Sequence, residues 1–267
     1  MSARGSLRAL PALLRAGVLE AVAYRAETVV WALTSTMPLI MLALFGAVAR
    51  DGPVGRYGEA QFTAYFLATF IVRQLTSSWI SWQINGEVRD GTLGARLLRP
   101  VHPAIAYAAE SLAPMPLRAA VALPVAMILL VLVGAQQLTR DPVVALLCAV
   151  SIAGAWLISL SVSLAIGALA FYFEQATRVM DVWLTVYFVL SGYLLPVELF
   201  PRALRVANDY LPFRYQIGLP VELMVGVHGR AEALSLVGRQ WIFVLVTAWI
   251  ARVLWQRGLA RFAAYGG

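Results

Sequence analysis

Pro142–Phe173 runs for 32 residues without a charged side chain. As a helix it would be about 48 Å long at 1.5 Å per residue, more than the roughly 30 Å hydrocarbon core of a bilayer. A soluble globule offers no place to hide a rod of that length and apolarity. Thr28–Ala49 is a second uncharged run, of 22 residues. Charged residues make up 13% of the chain and hydrophobic ones 61%, with a mean hydropathy of +0.76. A soluble domain carries roughly twice that share of charge. In lipid every backbone polar group must be satisfied within the protein, and a helix does so within one segment. The chain therefore reads as an all-α integral membrane protein.

Six transmembrane helices are expected in a single transmembrane domain, 1–267. They are Thr28–Ala49, Ala60–Trp82, Ala119–Thr139, Pro142–Phe173, Val182–Val197 (extended backwards past Asp181) and Leu234–Gln256. Arg239 and Arg252, near the ends of the sixth, can snorkel outward. The first run starts too late and is too long for a cleavable signal peptide. Arg4, Arg8, Arg15 and Arg25 precede the first span, Arg89, Arg96 and Arg99 follow the second, and Arg252, Arg257 and Arg261 lie at the C-terminus. The excess of positive charge on the cytoplasmic side places both termini there.

All 21 basic residues are Arg, since the chain has no Lys. A phosphate-cradling P-loop needs its Lys, so this chain does not hydrolyse ATP by that route, and no Walker motif is present. The net charge of +7 suits anionic membrane lipids better than nucleic acid. Cys148 is the sole cysteine, and His102 and His228 are far apart, so neither a disulfide nor a metal site is expected.

Four segments are not plain spans. In 1–27, Arg4, Arg8 and Arg15 share one face of a helix, with Leu10, Leu13, Leu14 and Val18 elsewhere. This arm reads as an interfacial helix, or else as an extension of the first span; Pro11 suits a first helical turn. The segment 84–100 has glycines at 86, 91 and 94, Thr92 as a helix cap, Leu93 and Leu97 on one face, and Pro100 as a stop. Glu87, Arg89 and Asp90 offer polar contacts to something cytoplasmic. A docking helix and a solvated loop are the two readings. In 198–232, prolines 201, 212 and 220, with Pro196 just before, cut the chain into pieces too short to cross a bilayer, yet Tyr215–Gly226 is largely apolar. A re-entrant or interfacial helical pair fits both facts, provided its backbone is buried in protein; the other reading is an ordinary loop. Arg73 lies 13 residues into the second span, ahead of Gln74, Thr76, Ser77, Ser78 and Ser81. A charge at that depth faces protein or water. It marks a subunit interface or translocation path, or pairs with Glu110 or Asp181.

Gly86–Leu93 (Gly-Glu-Val-Arg-Asp-Gly-Thr-Leu), followed by Leu-Leu-Arg-Pro-Val-His-Pro over 97–103, resembles the cytoplasmic coupling segment of bacterial ABC-2 type exporter permeases. Leu190–Pro196 with Phe200-Pro201 looks like the end of that family's fifth span. Leu211–Arg214, then Leu219–Glu222 and Gly226, looks like its outer segment before the last span, and Tyr265-Gly266-Gly267 like its ending. The resemblance covers the chain in order and is to the six-span group called ABC-2 family transporter protein. It implies a permease subunit of an ATP-driven exporter in the bacterial inner membrane, with two cytoplasmic ABC ATPase subunits that bind ATP and Mg, and a second permease, identical or sister. It implies ATPase coupling through Glu87, Arg89, Asp90, Gly91, Thr92, Leu93, Leu97 and Arg99. Arg73, Gln74, Ser77, Ser191 and Gly192 are expected at the path or dimer interface. Pro196, Glu198, Pro212, Phe213, Pro220 and Glu222 are expected in the outer re-entrant segment. Apart from the resemblance, the rivals are an ATP-independent secondary transporter or channel subunit and a membrane enzyme. The enzyme needs convergent His, Asp or Ser groups, and the spacing suggests none. The small, aliphatic third and fourth spans suit an amphipathic cargo.

Overall fold

The computed structural model describes residues 3–23, 30, 36–133 and 137–264. The described residues are helical, without a β-strand; two helices are long and apolar enough to cross a membrane. Helix α1 is Ala3–Ala23 and α2 is Met37–Arg50. Helices α3 (Glu59–Thr76) and α4 (Ile80–Arg89) are followed by the short α5 (Leu93–Leu97) and by α6 (Pro103–Leu112). Then come α7 (Met115–Val133), α8 (Pro142–Ala168) and α9 (Ala176–Leu190). Short α10 (Arg202–Asn208) and α11 (Gly218–Met224) precede α12 (Arg230–Ala264).

The helix starts follow local chemistry. Asp141 accepts from the Val143 N–H at 2.9 Å, with Pro142 in the first turn of α8. His102 Nδ1 accepts from the Ala104 N–H at 3.2 Å ahead of Pro103. At α3 the Gly58 N–H donates to Gln61 Oε1 at 3.1 Å.

Helices α8 and α12 form the spine and pack along each other more extensively than any other pair. Gln240, fully buried on α12, donates to the carbonyls of Ser151 and Tyr215, each at 2.8 Å. Helix α2 packs on α3, α3 on α7, α4 on α8 and α1 on α6. Three apolar clusters fill the interior. One joins α8, α11 and α12; a second joins α3, α9 and α11; a third, around Ile84, Leu93, Tyr107, Phe171 and Trp255, ties α4, α5 and α6 to the far ends of α8 and α12. Helix α11 belongs to two of them at once, with Leu219 and Leu223 in the first and Val221 in the second.

Several expectations need correction. The second span is not continuous: it breaks at Ser77–Trp79, where Ser77 is extended (φ −72°, ψ 139°). The break is stabilised from outside, since Arg118 Nη1 donates to Ser77 Oγ and Ser163 Oγ donates to the Ser78 carbonyl, both at 3.2 Å. The Ser163 contact re-satisfies a backbone carbonyl that the broken helix frees, and the Arg118 contact holds the Ser77 side chain. Pro11 lies inside α1, exposed, rather than in a first turn. The helix continues past it because α1 is braced along α6. The side chains of Arg4 and Arg8 lie outside the described residues, as do Thr28 and Val29 and most of the next six positions of the first run. Helix α9 does begin before Asp181, at Ala176, but ends at Leu190, short of Val197. Thr92 occupies the cap position of α5 without a side-chain hydrogen bond. Of the three glycines in 84–100, Gly86 and Gly94 lie within helices and only Gly91 (φ +72°) needs glycine's freedom.

Candidate functional site

Three polar constellations sit at three levels of the bundle. The first is at the end that carries 84–100. Arg96, projecting from α5, reaches Glu87 on α4 at 2.6 Å and Glu110 on α6 at 2.7 Å. Gln83 Nε2 donates to Glu110 at 2.7 Å and to Glu87 at 3.2 Å, and the Tyr107 phenol donates to Glu87 at 2.6 Å. The Arg96 guanidinium lies 4.3 Å over the Tyr107 ring. Burial and the Glu87 carboxylate push the Tyr107 phenol up, so it remains a donor. Both carboxylates hold the Arg96 charge against the opposing effect of burial. Leu93, fully buried, plugs α5 into the third apolar cluster.

These contacts make 84–100 a braced elbow. Its tip is exposed: Arg89, Asp90, Gly91, Thr92, Arg99 and Leu98, the last 88% exposed. Glu87 and Leu97 are turned inward, so their place is in the brace and not on the surface.

The second constellation surrounds Arg73, 8% exposed near the end of α3. Glu110 is committed to Arg96 and Asp181 is exposed, so the pairings considered for Arg73 do not form. Instead Arg73 Nη1 donates to Tyr187 Oη at 3.2 Å. The rings of Trp79, Tyr187, Phe188 and Tyr193 lie 5.4–5.9 Å from its guanidinium carbon, within cation–π range. A cavity of about 20 Å³ opens beside it, walled by Trp79, Trp82, Trp183, Ser163 and Gln216 among others. Gln74, Ser77, Ser191 and Gly192 do not line it. Ser191 and Gly192 hold a turn instead: the Gly218 N–H donates to the Ser191 carbonyl at 2.8 Å, and Tyr65 Oη donates to the Gly192 carbonyl at 2.7 Å.

The third lies at the opposite end. Arg214 bridges Asp209 and the buried Glu222, the latter at 2.8 Å. His228 bridges Glu222 at 2.8 Å and Glu232 at 3.1 Å. Burial opposes ionisation of Glu222, but Arg214 and His228 outweigh it and hold the carboxyl down at about 2. The same acids raise His228 despite its own burial. Glu198 accepts from Tyr57 at 3.3 Å and pairs with Arg56 at 3.6 Å. Phe213 packs on Trp183, with ring centroids 4.6 Å apart. Pro220 is buried and its carbonyl accepts from the Cys148 thiol. Next to this network an open pocket of about 490 Å³ is lined by Arg56, Gln61, Arg140, Asp141 and His228. No three His, Cys, Asp or Glu side chains converge on a metal position among the described residues.

Sequence reading named Glu87, Arg73, Glu198 and Glu222 but missed most of their partners. Gln83 and Glu87, four apart on one helix, were legible. Arg96, Tyr107 and Tyr187 come from other helices and His228 from the turn before α12, and no spacing rule points to them.

No curated protein matches the chain. The family model for ABC-2 family transporter protein matches residues 54–266, which takes in all three constellations. The chain thus belongs to the ABC-2 transporter family, as a membrane-embedded permease of the ABC type that associates with ABC ATPases.

Proposed function

We propose that the chain is a permease subunit of an ATP-driven ABC exporter in a bacterial inner membrane, with both termini and the elbow 84–100 in the cytosol. The six spans are α2, α3 continued by α4, α7, α8, α9 and α12. Two cytoplasmic ATPase subunits bind and hydrolyse ATP with Mg, and a second permease, identical or sister, completes the translocation path. In this reading the chain itself is not an enzyme.

The observation that carries this reading is the elbow. Arg96 ties α4, α5 and α6 into one unit, so force on the exposed tip passes into α4 as a rigid body. Helix α4 is joined through Ser77–Trp79 to the segment that holds Arg73, and it packs on α8 and α9. Closure of the ATPases would tilt the elbow and shift α4 relative to α9, changing the cavity between them. The segment 198–229 forms the opposite, external closure, its buried backbone held by α3, α8 and α9.

The test uses the exposed tip, not the brace. Asp90→Arg and Leu98→Asp should abolish copurification of an ATPase and ATP-dependent transport while leaving the melting temperature unchanged. Transport that survives both substitutions, driven by an ion gradient without any ATPase, would establish the secondary-transporter alternative.

A further inference from the structure

Arg73 is a nearly buried cation with no carboxylate paired to it among the described residues. Its guanidinium carries five N–H groups. Of these, one donates to Tyr187 Oη, and Arg73 takes part in no ion pair among the described residues. Gln216, 2% exposed and lining the same cavity, accepts from Ser159 through Oε1, while its Nε2 has no hydrogen-bond partner. Ser78 Oγ, also at the cavity, is likewise unpartnered. Arg118, which donates to Ser77 four residues after Arg73, adds a second positive charge nearby without lining the cavity. Buried donors of this kind need acceptors, and the greatest need is for a negative one. Apart from Ser163, committed to the Ser78 carbonyl, the remaining walls are apolar or aromatic: Trp79, Trp82, Trp183, Leu184, Met180 and Val162.

We propose that this cavity is the head-group site for an anionic amphiphile, whose carboxylate, sulfonate or phosphate pairs with Arg73 and accepts from Gln216 Nε2. That the bound amphiphile is exported rests on the exporter reading; its binding at Arg73 does not. A cationic amphiphile is disfavoured because the rings that would cage it already surround the Arg73 guanidinium. At about 20 Å³ the cavity has room for about one water. A head group gains access as α9 moves away from α4 and α8, and the tail then lies along the tryptophan wall. The same chemistry would take an anionic lipid head group.

The experiment measures tryptophan fluorescence of the full chain in phosphatidylcholine nanodiscs, titrated with dodecanoate, dodecanamide or dodecyltrimethylammonium. Dodecanoate should give saturable quenching at least tenfold tighter than the amide, with the ammonium weakest. Arg73→Gln should erase the preference, and Arg73→Lys should restore part of it, which controls for folding. In discs containing phosphatidylglycerol, Arg73-dependent competition identifies lipid as an occupant; undiminished dodecanoate binding identifies a soluble anion. Equal binding of all three probes, or a preference that survives Arg73→Gln, overturns the proposal. ATPase copurification is scored separately on the same preparations. Anion binding without an ATPase partner defeats the exporter reading alone, and a coupled ATPase without anion preference defeats this inference alone.

Discussion

Replacing Arg96 by Ala should loosen the elbow more than any other single substitution in it. The Arg96 side chain is 11% exposed and its acids Glu87 and Glu110 are 16% and 30% exposed. Removing one partner of a buried ion pair costs roughly 3–5 kcal/mol, because the other charge is left without compensation. Two features move this site to the lower end. Glu87 keeps Tyr107 and Gln83, and Glu110 keeps Gln83 and partial contact with solvent. A loss of about 3 kcal/mol is therefore expected, equivalent to a fall of about 6–12 °C in melting temperature for a chain of this size. Arg96→Lys should recover less than half of it, since an ammonium cannot span both carboxylates as the planar fork does. A double-mutant cycle with Glu110→Gln should show coupling of about 1–2 kcal/mol. Amide exchange over 90–99 should accelerate while that of α8 stays slow. An Arg96→Ala protein that melts with the wild type and keeps a protected α5 would refute the rigid-elbow reasoning.

The opposite end gives a pH signature. His228 is raised above its ordinary 6.5 by Glu222 and Glu232. Its contribution is complete below that value and is lost as pH rises through the elevated folded value. Thermal stability should therefore decline from neutral into alkaline solution, and His228→Gln should flatten that limb. Glu222, held at about 2, contributes above its ordinary 4.5 and loses the contribution only in strong acid, so Glu222→Gln should lower stability across the neutral range. Gly192→Ala should destabilise by about 1–3 kcal/mol, read as a lowered melting temperature. Its φ is +88° and the added methyl would lie 2.7 Å from Tyr65 Oη. At Gly167 a methyl would fall 2.7 Å from Ile84 Cδ1, where α4 seats on α8. Gly167→Ala should cost about 1–3 kcal/mol of overpacking and weaken ATPase coupling in a transport assay.

What was legible in the sequence was whatever one helix or one turn decides by itself. The uncharged run at Pro142–Phe173 announces α8, and the proline spacing of 198–232 announces its short helices. The break at Ser77 was hidden. Its stabilising donors, Arg118 and Ser163, lie 41 and 85 or more residues away, and a window of local hydropathy sees only a continuous span. The Glu87 error has the same origin. Next to Arg89 and Asp90 it reads as one charged surface, but helical geometry turns Glu87 inward toward Gln83 and Tyr107 and leaves the other two outside.

The position of that break ties the levels of the molecule together. A continuous helix from Glu59 to Arg89 would make a single lever about 45 Å long at 1.5 Å per residue, and any push at its tip would have to tilt the whole of it. Tilting would drag the fully buried Phe62, Tyr65 and Phe66 out of the cluster they share with α9 and α11. In the proposed cycle the interruption at Ser77–Trp79 lets α4 rock on its seat against α8 while α3 stays fixed. The displacement is then concentrated at the hinge, where Arg73, Trp79 and Trp82 face the cavity. Coupling by this route needs the hinge as much as the elbow. Ser77→Ala with Ser163→Ala would remove both side-chain contacts that brace the break. If the mechanism is right, that pair should preserve ATPase binding at the exposed tip and still uncouple hydrolysis from transport.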